Sequence, residues 1–216
     1  MLRTALAAVL LACAGYAGAS WLTDDFQVWT AEGARRLEVA LQPVPVPEVR
    51  IEGPGLPVQP LAAWLHAPGR VTVVDFIYTR CETLCLSLGG VFQQMQRRLQ
   101  QGGGGAGGGG VGDGVRLLSI SFDGGHDTPD RLAAYARGLG ADPALWQFAR
   151  VPDAHESAAL LRRLQVVVVP DGRGGYEHNA ALLVLDAQGR LVRVFDLAEQ
   201  ELALNYARHL AAKGGV

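Results

Sequence analysis

The sequence predicts an α/β domain of thioredoxin-like class: a mixed sheet flanked by helices, with a terminal β-hairpin and a closing helix. Two near-continuous apolar, β-branched runs, 71–79 and 115–122, read as strands buried on both faces. A segment of helical period follows each. Later, two strand-like runs flank Ala187-Gln188-Gly189-Arg190, a hairpin signal, and an amphipathic segment closes the chain. That order, β-α-β-α then hairpin then helix, is what such a sheet requires.

The elements follow in chain order. Arg3, the uncharged stretch Thr4 to Leu22 and the small-residue pattern Ala17-Gly18-Ala19 mark residues 1–22 as a signal peptide or membrane anchor. Three readings fit: cleavage after Ala19, an uncleaved N-terminal span, or lipidation at Cys13 in Leu10-Leu11-Ala12-Cys13. All three place the domain outside the cytoplasm, in the periplasm or on the extracytoplasmic face of the membrane. Residues 23–60 read as a Pro-rich connecting segment, with a short helix from Gln27 to Val39 and extended, irregular chain from Pro43 to Pro60.

Residues 61–216 form the predicted domain. Leu61 to His66 adds a helical turn. After the first strand, Cys85 to Gln101 is a helix with Leu88, Val91, Phe92, Met95 and Leu99 on one stripe. Gly102 to Gly114 reads as a flexible, dispensable surface loop; it lacks the Gly-Lys-Ser/Thr ending of a phosphate cradle. Thr128 to Leu139 is a helix with Pro129 in its first turn and Asp127 or Thr128 as cap. His155 to Leu164 is another helix. Ala180 to Asp186 and Leu191 to Phe195 are the hairpin strands, and Glu199 to Ala212 is the last helix.

Composition narrows the function. With 49% hydrophobic residues there is ample core, and a formal charge of −2 with scattered Arg gives no footprint for nucleic acid. With the leader removed, Cys81 and Cys85 are the remaining cysteines. The loop they close is too small for a useful staple, so their chemistry needs another explanation. They stand at a strand-to-helix junction, where the helix N-terminus and Arg80 favour thiolate. Thiolates serve disulfide exchange and metal binding alike. Four residues apart on a helical turn, both sulfurs can face one ion; soft thiolates select Cu(I), and an added imidazole suits Cu(II). In this topology the loop carrying His178 passes beside the end of the first strand, where its imidazole could face both cysteines. His66, His126, His155 and His209 read as surface or structural residues. Asp75 lies mid-strand in an apolar run, where thioredoxins carry a buried carboxylate that assists proton transfer at their cysteines. Asp123 reads as a turn residue before Gly124-Gly125.

Three segments in order resemble the SCO/SenC family of thioredoxin-fold copper proteins: Phe76-Ile77-Tyr78-Thr79-Arg80-Cys81 with Cys85, Ser119-Ile120-Ser121-Phe122-Asp123 leading to Asp127-Thr128-Pro129-Asp130, and His178 ahead of Leu182 to Gly189. The resemblance spans residues 71–196. It implies copper, as Cu(I) or Cu(II), held by Cys81, Cys85 and His178. It further implies an anchored or periplasmic domain, and delivery of copper to the copper-site subunit of cytochrome c oxidase. The family usually has Pro after each cysteine, whereas Glu82 and Leu86 stand here. The functions that follow are a copper metallochaperone or a thiol–disulfide oxidoreductase or thiol peroxidase with Cys81 and Cys85 as the catalytic pair. Other periplasmic copper or thiol-redox proteins are further expected partners.

Overall fold

The computed structural model describes residues 2–26, 28–80, 84–102 and 114–214, with the backbone alone at 84–87. The chain divides into two compact units, Met1–Gln42 and Pro43–Val216. In the first, α1 (Leu2–Leu22) has no buried residue and is long and apolar enough to cross a membrane. Helix α2 (Ala31–Leu41) begins at Thr30, whose Oγ1 accepts the Gly33 N–H at 3.0 Å. That cap explains why the helix starts four residues later than the sequence reading placed it.

In the second unit the strands are β1 (Val44–Pro45), β2 (Arg50–Gly53), β3 (Leu56–Pro60), β4 (Val71–Ile77), β5 (Val115–Ser121), β6 (Trp146–Arg150), β7 (Val168–Pro170), β8 (Tyr176–His178), β9 (Leu182–Leu185) and β10 (Arg190–Phe195). Eight form one mixed sheet in the order β1-β10-β9-β4-β5-β6-β2-β3; β7 and β8 form a separate antiparallel pair. Strands β4, β5 and β6 run parallel at its centre, and β9 joins β4 antiparallel. The architecture is thioredoxin-like. All seven residues of β4 are buried, as its apolar run requires.

Helices α4 (Leu84–Gly102), α5 (Pro129–Gly138) and α7 (Gln200–Ala212) share a core with one face of this sheet. Phe92, Met95 and Leu99 of α4, and Ala203, Leu204 and Ala207 of α7, meet Val71, Val73 and Ile77. Because strand side chains alternate, Asp75 points to this same face. Helix α3 (Leu61–Leu65) is held by Arg116: its guanidinium donates to the Trp64 and Leu65 carbonyls at 2.8 and 3.0 Å and to Thr72 Oγ1 at 2.9 Å. The same group sits 3.8 Å over the Trp64 ring. Helix α6 (Ala154–Arg163) starts on an Asp153 cap.

The Pro-rich run departs from the irregular chain expected there. It supplies β1 at one sheet edge and the β2–β3 hairpin at the other, turning at Gly55 with φ +69°. Tertiary pairing overrides the local signal: Glu52 faces Arg150 in the register and is ion-paired with it. Strands β6, β7 and β8 were not expected either; each is five residues or shorter. The expected loop at 102–114 lies outside the described residues between 103 and 113.

Candidate functional site

Four consecutive residues, Ile77 to Arg80, carry the chain from β4 towards Cys81, and each is held by a different bond. The Ile77 carbonyl accepts the Phe122 N–H at 3.1 Å. The Tyr78 phenol donates to the Tyr176 carbonyl at 3.1 Å and accepts the Tyr176 N–H at 3.2 Å. Asp127 Oδ2 accepts the Thr79 N–H at 2.9 Å, and its Oδ1 accepts the Thr79 hydroxyl at 2.6 Å. Arg80 pairs with Asp123 at 2.6 Å.

Asp127 is fully buried, and the Ser121 hydroxyl braces it with a further bond at 2.6 Å. A buried carboxylate is costly unless hydrogen-bonded, and three donors meet that need. The sequence offers Asp127 or Thr128 as the cap of α5. Thr128 fills that role, accepting the Arg131 N–H, which leaves Asp127 for the cysteine segment. Asp123 does start the turn expected of it, its carbonyl accepting from His126 and Asp127. Its carboxylate also engages Arg80, so the charge that was to favour a thiolate at Cys81 is partly compensated.

His178 ends β8, opposite Val168 in the β7 register. The turn before it is built on Asp171, whose Oδ1 accepts the Arg173 and Gly175 N–H groups at 2.7 and 2.9 Å. The imidazole is half-buried and meets the Phe122 ring edge-on at 5.2 Å. Burial holds its pKa below the ordinary histidine value, against a smaller opposing effect from the Asn179 backbone. A neutral imidazole near pH 7 is the form that binds a metal.

Asp75 is 1% exposed, and burial lifts its pKa to about 7. Ser119, its partner in the β4–β5 register, tempers the rise. Neither carboxyl oxygen reaches a partner in good hydrogen-bond geometry among the described residues. The Ser119 oxygen accepts the Trp146 indole N–H at 2.9 Å.

Cys85 lies in the first turn of α4. Its side chain, and all of Cys81, Glu82 and Thr83, lie outside the described residues. Among the described residues no three His, Cys, Asp and Glu side chains are grouped to hold a metal. The sequence reading missed the roles of Tyr78, Phe122, Asp127 and Tyr176. Asp127 had a signal, because its segment was one of the three that carried the family resemblance. Tyr78 and Phe122 stand in the same matched segments, whereas Tyr176 had no signal, since an aromatic residue near a strand end fits any core.

The family model described as SCO1/SenC matches residues 64–211. A Bacillus subtilis (strain 168) SCO1 protein homolog is 24% identical over 133 residues, covering 61% of this chain and 64% of that protein. This chain thus spans less than two thirds of that relative's length. Among solved structures, BsSco, described as a member of the Sco family of cytochrome c oxidase assembly proteins, is 18% identical with a TM-score of 0.65, covering 79% of this chain and 95% of that one. Bradyrhizobium japonicum ScoI, solved with copper bound, is 22% identical with a TM-score of 0.61, covering 76% and 98%. At these identities the two structures speak for the fold.

Proposed function

The chain belongs to the SCO1/SenC family, and from that premise we propose that it is a copper metallochaperone that binds copper through Cys81, Cys85 and His178. In this reading it delivers the ion to the copper-site subunit of cytochrome c oxidase. The observation that carries it is the half-buried His178, kept neutral by its surroundings, on a strand bonded through Tyr176 to the residues that precede Cys81. Two thiolates and an imidazole suit both Cu(I) and Cu(II), so the donor set fits copper as cargo. The apolar helix α1 supports export, with the domain anchored on the extracytoplasmic face or released there.

The bonds at Thr79 and Arg80 hold the chain leading to the first sulfur ligand, and Phe122 orients the imidazole. Asp75 favours a second role. A buried carboxyl that titrates near neutrality can take a proton from a thiol and return it, which suits reduction of a target disulfide before copper is handed over. Metal analysis of the anaerobically reduced protein tests the main reading. One copper per monomer is expected, with thiolate-to-Cu(II) absorption lost in Cys81→Ala and Cys85→Ala and weaker Cu(II) binding in His178→Ala. A reduced, metal-free protein that takes up no copper in a competition titration sinks it.

A further inference from the structure

We infer that Tyr78 is a positioning residue for His178: its hydroxyl fixes the strand that carries the imidazole to the segment that carries Cys81. The inference rests on the copper reading above. Tyr78 follows β4 directly, three residues before Cys81, and is 5% exposed. Its phenol oxygen bonds both the carbonyl and the N–H of Tyr176. A neighbouring strand would use those two groups in the same way. Tyr176 stands two residues before His178 in β8, so both point to one face of that strand.

The bridge matters because β7 and β8 are not part of the eight-stranded sheet. His178 therefore rides on a small pair of three-residue strands that need anchoring to the larger body. The other end of the bridge is firm. Thr79 and Arg80, next in the chain, are held by Asp127 and Asp123. Packing does not require the hydroxyl. The rings of Tyr78, Phe122 and Tyr176 meet at centroid distances of 5.3 to 5.5 Å, contacts a phenylalanine would keep. What the hydroxyl adds is direction: two bonds that fix where β8, and hence the imidazole, lies relative to the approach to Cys81.

Tyr78→Phe tests this, since it removes one oxygen and keeps the ring. In the reduced, metal-free protein the Tyr176 amide should exchange its hydrogen at least about tenfold faster than in the parent, because its acceptor is gone. In titrations with Cu(II) alone, affinity should fall on the order of tenfold, the usual effect of removing a group that orients a ligand. The thiolate-to-Cu(II) band should shift in the direction that His178→Ala shifts it. Cu(I) affinity should stay within about twofold if the two thiolates dominate it. The double variant Tyr78→Phe with His178→Ala should bind Cu(II) no more weakly than His178→Ala, because Tyr78 acts through the histidine. An unchanged Tyr176 exchange rate overturns the inference, as does parental Cu(II) binding by Tyr78→Phe or a fully additive double variant. Parental Cu(II) binding that does not depend on His178 removes the ligand assignment itself, and the inference with it. The parent and His178→Ala judge the copper reading; Tyr78→Phe judges the inference.

Discussion

The two ends of the parallel strands are built in opposite ways. At the end where β4 and β5 begin, a cation with no acidic partner among the described residues does the holding. Arg116 ties α3 down through two carbonyls, a hydroxyl and the Trp64 ring, and burial brings its pKa down to about 10. Beside it the chain closes so tightly that a Cβ on Gly114, which has φ +75°, would lie 2.6 Å from the Gly69 carbonyl. At the end where the strands finish, carboxylates do the holding: Asp127 on Thr79 and Asp123 on Arg80. The first end fastens a helix to a sheet. The second fastens the piece of chain that leads to Cys81, so its bonds bear on geometry as well as on stability.

Substitutions at each end, and between them, test that contrast. The largest effect is expected between the ends, at Asp75. Its folded pKa of about 7 lies far above that of an unfolded aspartate, so burial costs stability progressively as pH rises from about 4 to 7. Asp75→Asn carries no such cost. In urea denaturation of the reduced protein it should be more stable than the parent by on the order of 4 kcal/mol at pH 8, with the gap closing towards pH 4. A constant gap across that range would mean the acid is not held neutral.

Next is Asp127→Ala, which orphans the Thr79 N–H and leaves two hydroxyls without their acceptor. It should cost about 3 kcal/mol in the same assay and also weaken copper uptake. Arg116→Ala should cost about 2 kcal/mol, because two carbonyls and a ring lose their partner. Copper titration of the folded Arg116 variant should match the parent. If Arg116→Ala impairs copper binding as much as Asp127→Ala does, the division between the ends is wrong. The smallest effect is Arg80→Gln. Its pair with Asp123 is solvent-exposed on the arginine side, so the denaturation midpoint should hardly move. A changed midpoint potential of the Cys81–Cys85 couple in that variant would show that Arg80 still acts on the sulfurs.

The sequence revealed the parts of the fold that follow one rule over many residues. Strands β4 and β5, the stripe of α4, the Thr128-Pro129 start of α5 and the β9–β10 hairpin all combine a strong period with clear punctuation. Strand β6 was missed because Trp146-Gln147-Phe148-Ala149-Arg150 is short and its partner, Leu117 to Ser121, is distant in the chain. Strands β2 and β3 were missed because prolines signal irregular chain locally, while pairing with β6 is a tertiary event. At the site, His178 and Asp75 stood out by residue type and position. The bonds of Tyr78 to Tyr176 and of Asp127 to Thr79 could not, since they join residues 98 and 48 apart. The Cys81 position and the Cys85 side chain lie outside the described residues, so their convergence on one ion rests on spacing and family.

The same prolines have a consequence for the molecule in company. The outermost strands, β1 and β3, contain Pro45 and Pro57 with Pro60, which offer no N–H to an incoming strand. Both flanks of the sheet therefore resist being lengthened by another chain. Crowded copies of the domain are discouraged from polymerising edge to edge.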